Sequence, residues 1–347
     1  MNITKNSSLA VDGARVVVSM GDPAGVGPEI CLDILNDIAA VSYDAGFREC
    51  RPRVAVVGSA DVLRRVAEVT GKPFCAAVTD SPEDAALFAV DAAVLDVREP
   101  DAAQVVPGKV QAGCGRAAAV YIRTAAKIVQ QGRADALVTA PVCKEALAMA
   151  GEPYVGHTEM LEHLCGTSGV CMQLTSPRIT VSLVTAHVPL AAVSSLLSVE
   201  RINRVINLTV ESLQHSGIMQ PRIAVCGINP HSGEGCLLGD EERHIIAPAI
   251  AAARERGLNV TGPLVPDAAF RCEQREQTDA YVVMYHDQGL IPFKMLSFDD
   301  GVNVTLGLPL VRTSPDHGTA FDIAWKGVAA CSSMQAAVRL AARMADA

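Results

Sequence analysis

Short, nearly continuous apolar runs alternate along the chain with longer amphipathic segments, and the two periods divide the sequence into strands and helices. Residues 15–20 (RVVVSM), 53–59 (RVAVVGS), 93–97, 136–139, 178–185, 222–228 (RIAVCGI) and 281–284 (YVVM) have the make-up of strands covered on both faces. Residues 31–40, 60–70, 117–131, 144–150, 158–164, 199–215, 241–256 and 335–345 carry apolar positions at helical spacing, as at Tyr121, Ala125, Ile128 and Val129. This alternation predicts an α/β protein with a largely parallel sheet and helices on its faces. Residues 1–14 are polar, lack the apolar centre of a secretion signal and read as a loose tail.

In open α/β sheets, ligands bind beyond the carboxyl ends of strands. His187, His231 and His286 each follow a predicted strand, whereas His163, His215 and His244 fall inside helical runs and are assigned to structure or surface. Three imidazoles gathered at one sheet edge could hold a divalent ion and leave positions open for substrate. Downstream of His286, Lys294, Asn303 and Arg312 offer a point charge, a neutral hydrogen-bonding group and a rigid donor fork, a set suited to an anionic small molecule. His157 and Thr158 open a helix in a turn after Pro153, with Thr158 a candidate cap, and residues 262–267 (GPLVPD) form a predicted loop that delivers Asp267. Residues 21–29 (GDPAGVGPE) form a glycine-rich turn between strand and helix, but Ile30 stands where a dinucleotide fingerprint needs its third glycine. The turn is expected to let backbone approach a ligand at a helix start, with Pro28 at an early helical position.

A net charge of -9 argues against a nucleic-acid partner, and a local basic pocket remains compatible with it. No run approaches the roughly 20 apolar residues of a membrane span. Eleven cysteines without a CxxC suggest small buried hydrophobes in a reducing cytoplasm rather than a structural zinc site.

Several stretches carry a family resemblance: GDPAGVGPE, GHTE at 156–159, YHDQG at 285–289, Lys294, GVNVTLGLP at 301–309 and RTSPDHGTA at 312–320. Together they resemble the 4-hydroxythreonine-4-phosphate dehydrogenase family, named for its vitamin B6 pathway member. The resemblance implies two α/β lobes with a cleft between them, as in isocitrate and isopropylmalate dehydrogenases. Residues 15–140 plus 310–347 would form one lobe and 141–309 the other, with the closing helix packed on the first. It also implies that His187, His231 and His286 bind zinc, cobalt, manganese or magnesium in a site shared across a homodimer. Substrate would be held by His157, Thr158, Lys294, Asn303 and Arg312, with the general base among His157, Asp267 and Asp287. NAD would oxidise a 4-phosphorylated 3-hydroxy acid to a β-keto acid that loses CO2. Departures from the family pattern, GDPAG, TAPVCKEAL at 139–147 and AFDIAW at 320–325, look more like the paralogue acting on 4-phospho-D-threonate or 4-phospho-D-erythronate. The alternatives are the B6-pathway substrate, a metal-dependent phosphohydrolase or a non-catalytic sugar-phosphate binder.

Overall fold

The computed structural model describes residues 13–40, 52–99 and 104–346. Most of the expected N-terminal tail lies outside the described residues; of its end, Ala14 is buried beside the first strand. Twelve strands form one continuous sheet: β1 Arg15–Ser19, β2 Arg53–Gly58, β3 Ala77–Thr79, β4 Ala92–Asp96, β5 Ala136–Thr139, β6 Cys171–Thr175, β7 Thr180–Leu183, β8 Ile223–Cys226, β9 Val260–Leu264, β10 Ala280–Val283, β11 Val302–Leu306 and β12 Val311–Pro315. Their order is β3-β4-β2-β1-β5-β12-β11-β6-β7-β10-β8-β9.

Six strands, from β3 to β12, run parallel, with β1 in register between β2 and β5 (Val16 opposite Val54 and Ala136). Four more, β7, β10, β8 and β9, form a second parallel set. Between the sets, β11 is antiparallel to both β12 and β6, and β6 to β7. The expectation of a largely parallel α/β architecture is met, with the two parallel sets fused edge to edge through this antiparallel centre.

Burial explains the apolar runs. Val16, Val17 and Val18 of β1, Val54 to Val57 of β2 and Ala280 to Val283 of β10 are almost wholly buried, as strands covered on both faces must be. The helix Ala112–Gln130 packs so closely on the helix Lys144–Met149 that a Cβ added to Gly115 would lie 2.0 Å from the Ala146 carbonyl oxygen. The closing helix Ser332–Ala345 packs on β12, where Thr313 Oγ1 donates to the Ala337 carbonyl at 2.9 Å. A second apolar cluster, with Leu174, Val181, Tyr281, Val283 and Phe293 at its centre, supports the β6-β7-β10 side. Among the described residues, no helix is long and apolar enough to cross a membrane.

Two expectations are corrected. The stretch 262–267 is not all loop, because β9 runs to Leu264 before the turn that carries Asp267. The glycines of GDPAGVGPE serve the chain's own packing: a Cβ would meet the Pro141 carbonyl oxygen at Gly21 (2.3 Å), that of Thr319 at Gly25 (2.9 Å) and that of Met20 at Gly27 (2.4 Å). Backbone does come close at this turn, but to backbone. Pro28 does stand in the first turn of the helix Gly27–Ala39.

Candidate active site

Arg312 sits on β12 between β5 and β11, and its side chain is 3% exposed. Its Nη1 donates to Thr305 Oγ1 at 2.7 Å and its Nη2 to Thr139 Oγ1 at 2.6 Å, while Nε has no partner. Both partners are neutral hydroxyls, and no carboxylate pairs with it among the described residues. Burial lowers its pKa to about 10, the mark of a cation held where water cannot compensate it. An unpaired buried charge is costly, so a site built this way favours an incoming anion.

Asn303 lies opposite Ser314 across the β11-β12 pair, and its buried Oδ1 also lacks a partner. His157 is the first residue of the helix His157–Cys165 and has a backbone hydrogen bond to Ala140, which leaves a buried Nε2 unpartnered. Burial, then the charge of Arg312, then that of Lys144 hold its pKa down to about 3, against the opposing Ala140 bond. The ring is therefore neutral at physiological pH, with Nε2 an acceptor. Thr158 makes no cap; the N-cap is Gly156, without a side-chain hydrogen bond, and Thr158 instead lines the pocket. These groups, with Thr139, Lys144, His187 and His317, enclose about 190 Å³. A larger hollow of about 600 Å³ beside the β11-β12 turn also touches Arg312, but its other charged side chains, Arg204, Glu211 and His215, are exposed.

The histidine pair follows from topology. β7 and β10 are parallel neighbours with Leu183 opposite Val283, so the residues that follow them emerge side by side. His187 and His286 have ring centroids 5.6 Å apart and planes inclined at 44°. His286 opens the helix His286–Leu296, and its Nδ1 lies 2.7 Å from Asp287 Oδ1, which fixes the ring and leaves Nε2 for other use. Gln288 anchors that helix start, accepting from Met284 N and donating to the Gly227 carbonyl, both at 2.6 Å. Partial burial, Lys144 and His286 lower the pKa of His187, against the opposing charge of Glu159.

Three sequence candidates lie elsewhere. His231 follows β8, next to β10, yet it sits in a turn whose residues 231–235 all have left-handed φ, 51° at His231 itself. Its side chain is 68% exposed and bonds Glu234 Oε2 at 2.9 Å. Among the described residues no three His, Cys, Asp or Glu side chains converge for a metal, so a single chain supplies an imidazole pair and not the expected triad. Lys294 is ion-paired with Asp316 and donates to its carbonyl at 3.0 Å, bracing the loop after β12. Asp267 is exposed and does not line the pocket.

Sequence reading missed Thr139, Lys144, Ser314 and His317 as pocket residues. Recognising β12 as a strand beside β5 would have brought in Ser314 and His317, which lie at its end and just beyond.

A largely parallel α/β sheet with a cationic pocket beside an imidazole pair at its strand ends is the arrangement of an α/β enzyme whose ligand site lies at the strand ends. The fold is shared with a β-decarboxylating dehydrogenase of Thermococcus kodakarensis (TM-score 0.50, 14% identity, covering 94% of this chain and 82% of that one). The chain belongs to the PdxA family: the model described as pyridoxal phosphate biosynthetic protein PdxA matches residues 49–341. It is 42% identical over 329 residues to 4-hydroxythreonine-4-phosphate dehydrogenase of Desulforapulum autotrophicum, covering 94% of each chain. To D-threonate 4-phosphate dehydrogenase of Salmonella typhimurium it is 39% identical over 339 residues, covering 95% of this chain and 98% of the relative. A crystal structure of 4-hydroxythreonine-4-phosphate dehydrogenase from Klebsiella pneumoniae aligns with TM-score 0.83 and 43% identity over 96% of this chain and 99% of that one.

Proposed function

We propose that this protein is an NAD-dependent dehydrogenase that oxidises and decarboxylates a 4-phosphorylated 3-hydroxy acid, 4-phospho-D-threonate or 4-phospho-D-erythronate, as a homodimer with a divalent ion in each site. The observation that carries this reading is Arg312, a buried cation without an anion, in one pocket with the unpartnered acceptors of Asn303 and His157. Arg312 holds the anionic end of the substrate, while Asn303 and Thr158 orient its polar groups. Of the three base candidates, His157 has an unused acceptor buried beside the pocket. A dianionic substrate offsets the charge of Arg312 and so raises the basicity of that nitrogen.

The residues present suit a divalent ion. Two neighbouring imidazoles, one oriented by Asp287, are donors of the type zinc and cobalt prefer. His231 of the partner subunit would complete the set. The support is its exposed position on a strained turn, next to Leu237 at 83% exposure and Leu238. When bound, the ion supplies Lewis acidity at the substrate hydroxyl and NAD supplies the hydride acceptor. Oxidation at C3 gives a β-keto acid, whose loss of CO2 is intrinsic chemistry. The cytoplasm, where NAD and phosphorylated acids are found, is the proposed compartment.

Departures at 139–147 and 320–325 favour the threonate or erythronate substrate. The second reading, 4-hydroxythreonine-4-phosphate, is favoured by an identity of 42% to the relative of that name, against 39% to the threonate enzyme. A panel of 4-phosphorylated hydroxy acids offered with NAD and zinc, followed by NADH absorbance and CO2 release, separates them. The dehydrogenase reading is overturned if none turns over while phosphate release is positive.

A further inference from the structure

Lys144 breaks a local rule. It is the first residue of the helix Lys144–Met149, the end where the aligned peptide dipoles disfavour a cation. The residue is exposed, and its ammonium has no hydrogen bond or ion pair among the described residues. Its side chain lines the pocket, with Cε 3.7 Å from where a Cβ on Gly156 would be. Glu159 Oε2 approaches the same point to 3.6 Å, yet the two form no ion pair.

The backbone that carries Lys144 is fixed from three directions. Asp22 is wholly buried after β1; its Oδ1 accepts from Ala24 N at 2.8 Å and its carboxylate also accepts from the Cys143 backbone. Asp22 N donates to the Pro141 carbonyl at 2.9 Å, closing the same turn from the other side. Cys143 Sγ caps the helix by accepting from Ala146 N at 3.4 Å, and Gly115 lets the neighbouring helix lock against Ala146. So constrained a backbone fixes where this side chain starts beside the pocket. His157 and His187 line the same pocket as Lys144.

We propose that Lys144 is a substrate-contacting residue whose ammonium binds the negative charge of a small anionic substrate between the Arg312 end of the pocket and the His187–His286 pair. Asp22 acts through the 140–144 turn as its positioning residue. This inference rests on the reading of the pocket as a phosphorylated hydroxy-acid site. It extends that reading by a cation lying between the two ends already described, opposite the middle of the substrate, where the carboxylate and the reacting hydroxyl would be.

The test is calorimetric titration of the full-length protein, supplied with zinc and no NAD, with 4-phospho-D-erythronate and separately with inorganic phosphate. Lys144→Met should weaken binding of the acid by about 10- to 100-fold, as for loss of a charge-assisted contact. Lys144→Arg should recover most of it. Turnover by Lys144→Met should show a raised KM together with a lowered kcat, which a solvated surface lysine would not produce. Asp22→Asn should give a smaller loss in the same direction. Equal binding of the acid by wild type and Lys144→Met, within threefold, overturns the inference. Should wild type bind phosphate but no phosphorylated acid, the hydroxy-acid reading fails, and Lys144 keeps an anion-binding role only if Lys144→Met loses phosphate. Wild type that binds neither overturns both.

Discussion

Arg312 is a buried cation on a central strand, held by two hydroxyls, whereas His231 is an exposed imidazole on a left-handed turn, held by its neighbour Glu234. Each is costly as it stands. The first carries charge out of water without a counter-ion. The second places four non-glycine residues, His231, Ser232, Glu234 and Cys236, in a backbone region that costs roughly 1–2 kcal/mol apiece for L-residues. The costs call for different remedies: a pocket of about 190 Å³ can be satisfied by a small anion, while an exposed turn flanked by bare leucines can be satisfied only by a surface.

The largest expected effect falls between the two regions, on the imidazole pair. His286→Ala should lower kcat by at least about 1000-fold and reduce zinc bound per chain, with an unchanged far-ultraviolet spectrum, since the ion supplies several kcal/mol at the reacting centre. Activity retained within tenfold would remove His286 from the site.

A mixing experiment asks whether the exposed turn reaches across to a second copy. His231→Ala and His286→Ala chains are each expected to be inactive. Refolded together in equal amounts, they should regain about a quarter of wild-type activity, because half the dimers are mixed and each mixed dimer has one intact site. A site complete within one chain predicts no recovery at all.

Arg312→Lys tests the buried region alone. The ammonium cannot reach Thr305, Thr139 and an anion with the geometry of the guanidinium fork, so kcat/KM should fall about 10- to 100-fold with little change in the urea midpoint. A loss confined to stability would make Arg312 a structural residue.

The contrast also sets what could be read from sequence. Strands β1, β2, β5, β8 and β10 announce themselves as Val- and Ala-rich runs because they are covered on both faces. The antiparallel centre was illegible: β6 (CMQLT), β11 (VNVTL) and β12 (VRTSP) contain buried polar residues, Gln173 bonded to Ser182 and Ser212, and Thr305, Arg312 and Ser314 at or beside the pocket. Polar residues set among the apolar ones removed the continuous apolar runs that marked the other strands. His187 and His286 were legible as residues past strand ends. The isolation of His231 was not, because a run of six residues at left-handed φ leaves no periodic trace, and only the glycines at 233 and 235 hint at it. Lys144 passed as an ordinary helix residue because its place at the pocket comes from the packing of the 140–144 turn, which no local pattern records.

A smaller effect tests the strain itself. Ser232, at φ 53°, has no left-handed excuse in its side chain, since its buried Oγ makes no hydrogen bond. Ser232→Gly should raise stability by about 0.5–1 kcal/mol in urea unfolding, glycine's freedom in that region offsetting its larger unfolded-state entropy. Destabilisation instead would mean that the turn's shape is imposed by its surroundings and holds no strain to release.

The smallest effect returns to the buried region through pH. In the folded chain His157 takes up a proton only near pH 3, whereas in the unfolded chain it does so near 6.5. Between those values the unfolded state binds the extra proton, so stability falls as pH drops from 6.5 toward 3. His187, also lowered, adds to this slope. Asp22, raised to about 6 by burial, opposes it, because there the folded state binds the proton and gains stability as pH falls toward the ordinary carboxylate value. His157→Gln should therefore flatten the decline in melting temperature between pH 6.5 and 5, and Asp22→Asn should steepen it. Inorganic phosphate in the pocket would neutralise Arg312, restore basicity to His157 and flatten the wild-type slope in the same way, while leaving His157→Gln nearly unmoved. A wild-type slope indifferent to phosphate would separate the imidazole from the anion site and leave the depressed basicity of His157 to burial alone.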